Sequence, residues 1–61
     1  MEINKFLSEW NMCTHSVRTV ILEGESSFLA DGFNFTGKYY TFVRGHKYVI
    51  SVHLDDIKRI V

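Results

Sequence analysis

The hydrophobic positions of the first twelve residues recur with the period of an α-helix. Ile3, Phe6, Leu7 and Trp10 lie at i, i+3, i+4 and i+7, which places them on one face of a 3.6-residue repeat. A helix this short is marginal by itself, so its apolar face must pack on another surface. The sequence predicts a helix over residues 2–12 that covers the core of its own domain; insertion into a partner's groove is the alternative.

From residue 17 onward the pattern changes to the alternation and β-branched content of strands. Strands are predicted at residues 17–22, 27–30, 33–43, 47–54 and 58–61. Asp31-Gly32 is a dipeptide typical of hairpin turns. Gly37, inside the third predicted strand, indicates a bulge or a sharp bend.

The strand over residues 47–54 alternates cleanly, which predicts the side chains that face the core. Its apolar set is Tyr48, Ile50, Val52 and Leu54, and the residues between them point to the opposite side. Asp55 then follows as a candidate N-cap of a single helical turn.

The order of these elements defines the predicted fold class. A helix comes first, and four or five short antiparallel strands follow with glycine turns and no proline. Such a pattern is typical of a mainly β (α+β) domain that spans residues 1–61. The strands are expected to form a small barrel or a bent meander, with the helix across one side.

The length of the chain limits how it can be stabilised. A domain of 61 residues buries only roughly 60% of the surface that its unfolded chain exposes. Cys13 is the only cysteine, so an internal disulfide is excluded. We therefore expect stability from a core built on five Phe, three Tyr and one Trp, from oligomerisation, or from both.

The charge balance narrows the classes of partner. The formal net charge is zero, whereas a dedicated nucleic-acid binder usually has a basic excess. The chain has no apolar run of membrane-spanning length, and charged residues interrupt the apolar pattern of its first ten residues. We expect a cytoplasmic protein without a membrane partner.

The residues that could form a metal site are Cys13, His15, His46 and His53. Their side chains suit zinc or copper, but the spacing Cys-x-His does not match a structural zinc motif. We expect no metal and no other cofactor.

Ser51, His53 and Asp55 have the residue types of a hydrolytic triad. In a strand they lie in one row, with neighbours roughly 7 Å apart. A nucleophile and its base need hydrogen-bond contact at about 3 Å. The spacing therefore argues against catalysis, and we expect a protein that is not an enzyme.

The stretch over residues 33–47 interleaves aromatic and basic residues. Such a surface can stack nucleobases and hold phosphates. It suits a protein interface equally well, because Tyr and Arg are enriched there. One of the adjacent tyrosines in the stretch should face outward. The candidate binding residues are Lys38, Tyr39, Tyr40, Arg44, His46 and Lys47.

The closing segment KYVISVHLDDIKRIV (residues 47–61) has an alternating strand, a one-turn break and a short final strand. It resembles the end of SH3-like and Sm-like small barrels, and a helix before the first strand is similar to the Sm-like layout. The resemblance implies a fold of that kind and, for Sm-like proteins, RNA binding and ring assembly. The middle of the chain does not match the RNA-contact motifs of that group, so none of its site residues is carried over.

These observations favour a small non-enzymatic binding or regulatory protein that acts through protein–protein contact. Bacterial and phage accessory factors or inhibitors are the expected type. An RNA- or DNA-binding oligomer is the alternative, with Lys38, Arg44, Lys47, Lys58 and Arg59 gathered on one face by assembly. A structural subunit of a larger complex is the third possibility. An open strand edge and a small core also favour a homodimer or a higher oligomer.

Overall fold

The computed structural model describes residues 1–61 and has one helix followed by six antiparallel strands. One N-terminal helix followed by antiparallel strands confirms the predicted mainly β, α+β class. The elements are α1 (Ile3–Met12), β1 (Arg18–Leu22), β2 (Ser27–Ala30), β3 (Gly32–Thr36), β4 (Tyr39–Arg44), β5 (Lys47–His53), a one-turn 3-10 helix (Leu54–Asp56) and β6 (Ile57–Ile60).

The strands form two three-stranded sheets. The first sheet has the order β2–β1–β6 and the second has the order β3–β4–β5. The last strand returns to pair with the first, so the two ends of the β region meet in the first sheet. The sheets do not close into a barrel, which was one of the two predicted forms.

The predicted hairpin at Asp31-Gly32 is wrong, because β2 and β3 pair with different neighbours. The chain passes from the first sheet to the second through Asp31 alone. The N–H of Asp31 donates to the carbonyl of Val43 at 2.9 Å, and its carboxylate accepts from the N–H of Gly45 at 2.8 Å. Hydrogen bonds from the β4–β5 hairpin therefore fix Asp31 at the point where the chain crosses from the first sheet to the second.

The predicted strand over residues 33–43 is two strands, which raises the number from the predicted four or five to six. Thr36 is paired with Tyr39, and the two residues between them form the turn. Gly37 has a φ of +61°, as the first central position of a type II′ hairpin requires. Gly37 therefore lies in a turn that reverses the direction of the chain, whereas the sequence predicted a bulge or a sharp bend.

The core lies between the two sheets and beneath the helix. The ring of Phe6 is fully buried and stacks on Tyr40, with 4.0 Å between ring centroids. The ring of Phe33 meets Phe6 edge-on at 4.9 Å. Phe6 and Trp10 are the buried residues of α1 and Ile3 packs against the core, as predicted, whereas Leu7 of the same predicted face is exposed. The nine buried residues are all hydrophobic: Phe6, Trp10, Val20, Ala30, Tyr40, Phe42, Val52, Ile57 and Ile60.

Arg18 ties the end of the helix to the start of β1. Its Nε donates to the carbonyl of Trp10 at 2.9 Å, and its Nη2 donates to the carbonyl of Cys13 at 3.3 Å. The guanidinium carbon also lies 4.4 Å from the centroid of the Trp10 ring. Carbonyls at a helix end have no partner within the helix, so this one side chain supplies donors where they are needed.

No helix of the structure combines the length and the apolar character required to cross a membrane.

The predicted core set of β5 is correct except at Tyr48. Val52 is buried, and Ile50 and Leu54 pack against the core. Phe42 is paired with Ile50 but Val43 is paired with Tyr48, so Val49 is an extra residue in β5. This β-bulge shifts the alternation by one position. Tyr48 therefore faces outward, with 66% of its surface exposed.

The bulge predicts opposite outcomes for the same substitution at two positions of β5. Val52→Asp should unfold the domain, because a buried unpaired carboxylate costs several kcal/mol, about the whole stability of a small domain. Tyr48→Asp should remain folded at 25 °C, with a stability loss of about 1 kcal/mol or less. Circular dichroism melts measure both. Unfolding of both variants would place Tyr48 in the core and contradict the bulged register.

The hydroxyl of Tyr40 is buried and has no hydrogen-bond partner among the groups of the protein. Burial raises the pKa of this phenol, and the negative charge of Glu2 raises it further. A buried hydroxyl without a partner gives up its hydrogen bonds to water and gains none in exchange. The ring of Tyr40 therefore stabilises the core and its hydroxyl does not.

Tyr40→Phe should leave the free energy of unfolding unchanged or raise it by up to about 1 kcal/mol. Tyr40→Ala should cost roughly 3–5 kcal/mol, as truncation of a buried aromatic ring usually does. Urea unfolding of both variants beside the wild type makes the comparison. A clear loss of stability in Tyr40→Phe would mean that the hydroxyl is hydrogen-bonded in the folded protein.

Candidate functional site

The side chains of the second sheet that point away from the core form one surface, here named the outer face. Strand pairing arranges them in rows, because residues directly opposite on neighbouring strands point to the same side. Val43 and Tyr48 lie in the first row, at the end of the β4–β5 turn. The remaining residues are Asn34, Thr41 and Ser51 in the middle row, and Thr36, Tyr39 and His53 in the third row.

Two tyrosines dominate the outer face. Tyr39 is 54% exposed and Tyr48 is 66% exposed. The Tyr39 ring meets the imidazole of His53 edge-on, with 5.3 Å between centroids. The Tyr48 hydroxyl donates to Ser51 Oγ at 3.4 Å, and Ser51 Oγ shares a 3.0 Å hydrogen bond with Thr41 Oγ1. Neighbouring side chains thus hold both aromatic rings in place.

The β4–β5 turn forms the basic end of the second sheet, and its Arg44 and Lys47 alternate with Val43 and Tyr48, so they do not point to the outer face. Arg44 and Lys47 are directly opposite each other in the strand register, and both are exposed. Gly45 and His46 between them have φ values of +58° and +66°, the pair of positive values that a type I′ turn needs. The Asp31 carboxylate is also at this end, held by the Gly45 N–H.

The opposite end of the outer face is formed by the 3-10 turn and the β3–β4 turn. The imidazole of His53 accepts a hydrogen bond from the Asp55 N–H at Nδ1, over 3.0 Å, and the Asp55 carboxylate lies 3.7 Å from the same nitrogen. The Leu54 N–H donates to the carbonyl of Lys38, which places this lysine at the same end. His53, rather than Asp55, is therefore the residue that caps the turn.

The structure divides the predicted binding residues into three groups. Tyr39 lies on the outer face, whereas Tyr40 is fully buried, so Tyr40 is not available to a partner. One of the two adjacent tyrosines faces outward, as predicted. Arg44, His46 and Lys47 are together at the basic end, but Lys38 is at the far end of β4, roughly 20 Å along the strand.

Tyr39 is the only residue of the outer face among the predicted binding residues, and the ones missed include Tyr48, Thr41 and Ser51. The clean alternation of β5 predicted that Tyr48 faces the core. The bulge that turns Tyr48 outward is not marked by a fixed residue type in the sequence. Thr41 and Ser51 gain their significance from each other, because only strand pairing brings them within 3.0 Å. The two residues can be recognised only from the strand register, which places them in one row of the sheet.

The five basic residues considered for nucleic-acid binding do not converge within one chain. Lys58 and Arg59 belong to β6, in the first sheet. Lys58 forms an ion pair with Glu25, and this hydrogen bond and charge lower the pKa of the Glu25 carboxyl. Lys58 is therefore already partnered by an acidic side chain.

The candidate metal and catalytic groups are likewise separated. A groove of about 490 Å³ at the end of the helix contains Cys13 and His15, whereas His46 and His53 lie at opposite ends of the second sheet. No three His, Cys, Asp or Glu side chains of the chain come together in a way that could hold a metal ion. The Ser51 hydroxyl bonds Thr41 and Tyr48, and the Nδ1 of His53 is used by the turn that follows.

The outer face thus combines exposed aromatic rings with small polar side chains, and the charged residues lie in the turns at the two ends of the second sheet. Tyrosine with Ser, Thr and Asn is the combination that many protein-binding surfaces use, because rigid rings supply area and small polar groups adapt to the partner. Comparisons with protein-family models, with curated proteins and with solved structures find no match to this chain.

Proposed function

We propose that this chain is a small non-enzymatic binding protein that acts through protein–protein contact at the outer face of the second sheet. The observation that carries the proposal is the exposure of Tyr39 and Tyr48, both more than half exposed on one face with no charge between them. Tyrosine is enriched among the residues that dominate binding energy at protein interfaces.

The arrangement of the face supports tight contact with a partner. Tyr48, Ser51 and Thr41 form a connected set of hydrogen bonds, and Tyr39 rests against His53. Side chains that are already held lose less conformational freedom when a partner binds. The strands beneath them pack on the core through Tyr40, Phe42 and Val52.

The distribution of basic residues favours a protein partner over RNA or DNA. Nucleic-acid affinity depends on several bases that neutralise adjacent phosphates. Arg44 and Lys47 provide two such charges at one end, whereas Lys38 is roughly 20 Å away. An exposed tyrosine beside a basic turn, such as Tyr48, can still stack on bases, and affinity capture with and without nuclease separates the two classes of partner.

An SH3-like arrangement of the strands is part of the same proposal. It is supported by the single residue that joins β2 to β3, which makes them one bent strand shared by both sheets. The one-turn helix before β6 and the return of β6 to β1 also support it. In this arrangement the second sheet presents its outer face without cover from the helix.

The proposal is tested by affinity capture from a lysate of the source cells, with and without nuclease. The test variant is Tyr39→Ser/Tyr48→Ser, and the matched control is Leu29→Ser/Met12→Ser, which removes exposed apolar side chains elsewhere. We expect a protein partner that survives nuclease. Its affinity, measured by calorimetry with the purified partner, should fall roughly tenfold or more in the test variant, because truncated hot-spot residues cost above about 1 kcal/mol each.

Two outcomes would contradict this function. Equal affinity of the test and control variants would remove the outer face from the contact. Recovery of RNA or DNA alone, with binding that falls steeply with salt, would replace the protein partner with a nucleic acid.

A further inference from the structure

The β3 strand (Gly32–Thr36) is an edge of the second sheet, because β4 is its only neighbour. Thr36 and Tyr39 are paired across a two-residue turn, so their backbone groups bond each other. Backbone groups alternate in direction along an antiparallel strand. The N–H and C=O groups of Phe33 and Phe35 therefore point away from β4, out of the edge of the sheet.

The other side of β4 agrees with this direction. The N–H of Leu54 donates to the carbonyl of Lys38 at 2.8 Å, so the backbone groups of Lys38 and of every second residue after it point to β5. The residues between them, such as Thr41, point to β3. Outside the helix and the strand ladders, no hydrogen bond involves a backbone group of residues 32–36. The outward groups of Phe35 thus have no partner within the chain.

Two other edges of the sheets carry protection that β3 lacks. β5 has the bulge at Val49 and an exposed Lys47, and both features hinder the addition of a strand. In β6 the N–H of Ile60 donates to Oε1 of Glu9 in the helix at 3.0 Å. β3 has an uninterrupted register with β4 and contains no charged residue or proline. It is therefore open to a further strand.

Phe35 provides an apolar contact at this open edge. Its side chain is on the core side of the sheet, with 4.8 Å between its ring centroid and that of Tyr40, yet the residue is 41% exposed. Phe33, two residues earlier, is covered by Trp10. The first two residues of β3 are half-buried and the last three are exposed, so the accessible part of the edge is centred on Phe35.

We infer that a second copy of this chain pairs with β3 through its own β3, in antiparallel orientation, about a two-fold axis perpendicular to the sheet at Phe35. The Phe35 N–H of each copy then donates to the Phe35 carbonyl of the other. Asn34 of one copy lies opposite Thr36 of the other, twice. The two Phe35 rings are on the same side of the joined sheet, where they cover each other and continue the aromatic core across the axis.

The edge fits itself in charge and in conformation. β3 has no charged side chain, so its pairing with a second β3 brings no like charges together. The formal net charge of zero also means that two copies approach without long-range repulsion. The second β3 is already extended and held by its own β4, whereas a disordered segment would have to be ordered on binding. A second copy is therefore favoured over a free peptide.

The joined sheet has six strands in the order β5–β4–β3–β3–β4–β5, with both outer faces on the same side. The contact uses the strand edge and leaves Tyr39 and Tyr48 uncovered. The inference therefore goes beyond the proposed function and does not depend on it. A dimer of this kind presents two copies of the outer face to a partner, side by side.

Cysteine cross-linking in a Cys13→Ser background tests the pairing and its register. Residues directly opposite in an antiparallel pair have Cα atoms roughly 4.5–5.5 Å apart, within the range of about 4.4–6.8 Å that a disulfide requires. Phe35→Cys should therefore form a disulfide-linked dimer in a glutathione redox buffer. Asn34→Cys alone and Thr36→Cys alone should not, because each lies roughly 8 Å from its own counterpart. An equimolar mixture of these two should give the mixed dimer, identified by its intact mass.

Leu29 provides the matched control, because it is 42% exposed, close to the 41% of Phe35, and lies in β2. Leu29→Cys should cross-link no faster than Asn34→Cys. Phe35→Lys should be monomeric in sedimentation velocity up to about 1 mM, where contacts of millimolar affinity are still populated, since two like charges meet at the axis. Leu29→Lys should dimerise like the wild type. Circular dichroism checks that both of these variants are folded.

A wild type that stays monomeric up to about 1 mM would overturn the inference, as would Phe35→Cys that cross-links no faster than Leu29→Cys. Cross-linking of Asn34→Cys to itself would reject the pairing about Phe35. Tyr39→Ser/Tyr48→Ser should dimerise like the wild type, and loss of the dimer in this variant would move the contact to the outer face. Failure of the β3 pairing leaves the proposed function in place, because that function is measured by capture of a different protein.

Discussion

The packing of the Phe6 ring on the aromatic side chains of the second sheet is the contact on which the rest of this structure depends. Phe6 is fully buried, stacks on Tyr40 at 4.0 Å and meets Phe33 edge-on. A chain of this length with one cysteine has no disulfide to rely on. Large rings bury more area per residue than aliphatic side chains. The short helix is therefore held by its aromatic face, with Arg18 as the second attachment at its end.

The same core determines which residues the second sheet presents outward. Strand alternation means that burying Tyr40, Phe42 and Val52 on one side places Tyr39, Thr41 and Ser51 on the other. The outer face is thus a direct consequence of core packing, except for Tyr48. That ring joins the surface because the bulge at Val49 changes the alternation. Because of this one extra residue in β5, Tyr48, which was predicted to be in the core, is the most exposed aromatic side chain of the molecule.

The three rows of the outer face contain no Asp, Glu, Lys or Arg side chain. Its centre has uncharged polar and aromatic groups, which lose little on desolvation when hydrogen bonds replace water. Arg44 and Lys47 lie at the β4–β5 turn, whereas Lys38 is roughly 20 Å away along the strand. The remaining basic residues of the first sheet include Lys58, which Glu25 already neutralises. Only the folded chain reveals this separation, because the net charge of zero averages over it.

The sequence by itself determined the helix, its buried Phe6 and Trp10, the α+β class and the outward position of one of two adjacent tyrosines. These properties follow from local periodicity, since the side of an element that a residue occupies depends on its near neighbours. Tertiary structure alone decided that Asp31 crosses between sheets, that Gly37 separates two strands, that Val49 is bulged and that Lys38 lies far from Arg44. Each of these depends on which strand pairs with which, and at what register. Pairing is a contact between distant parts of the chain, and no local pattern specifies it.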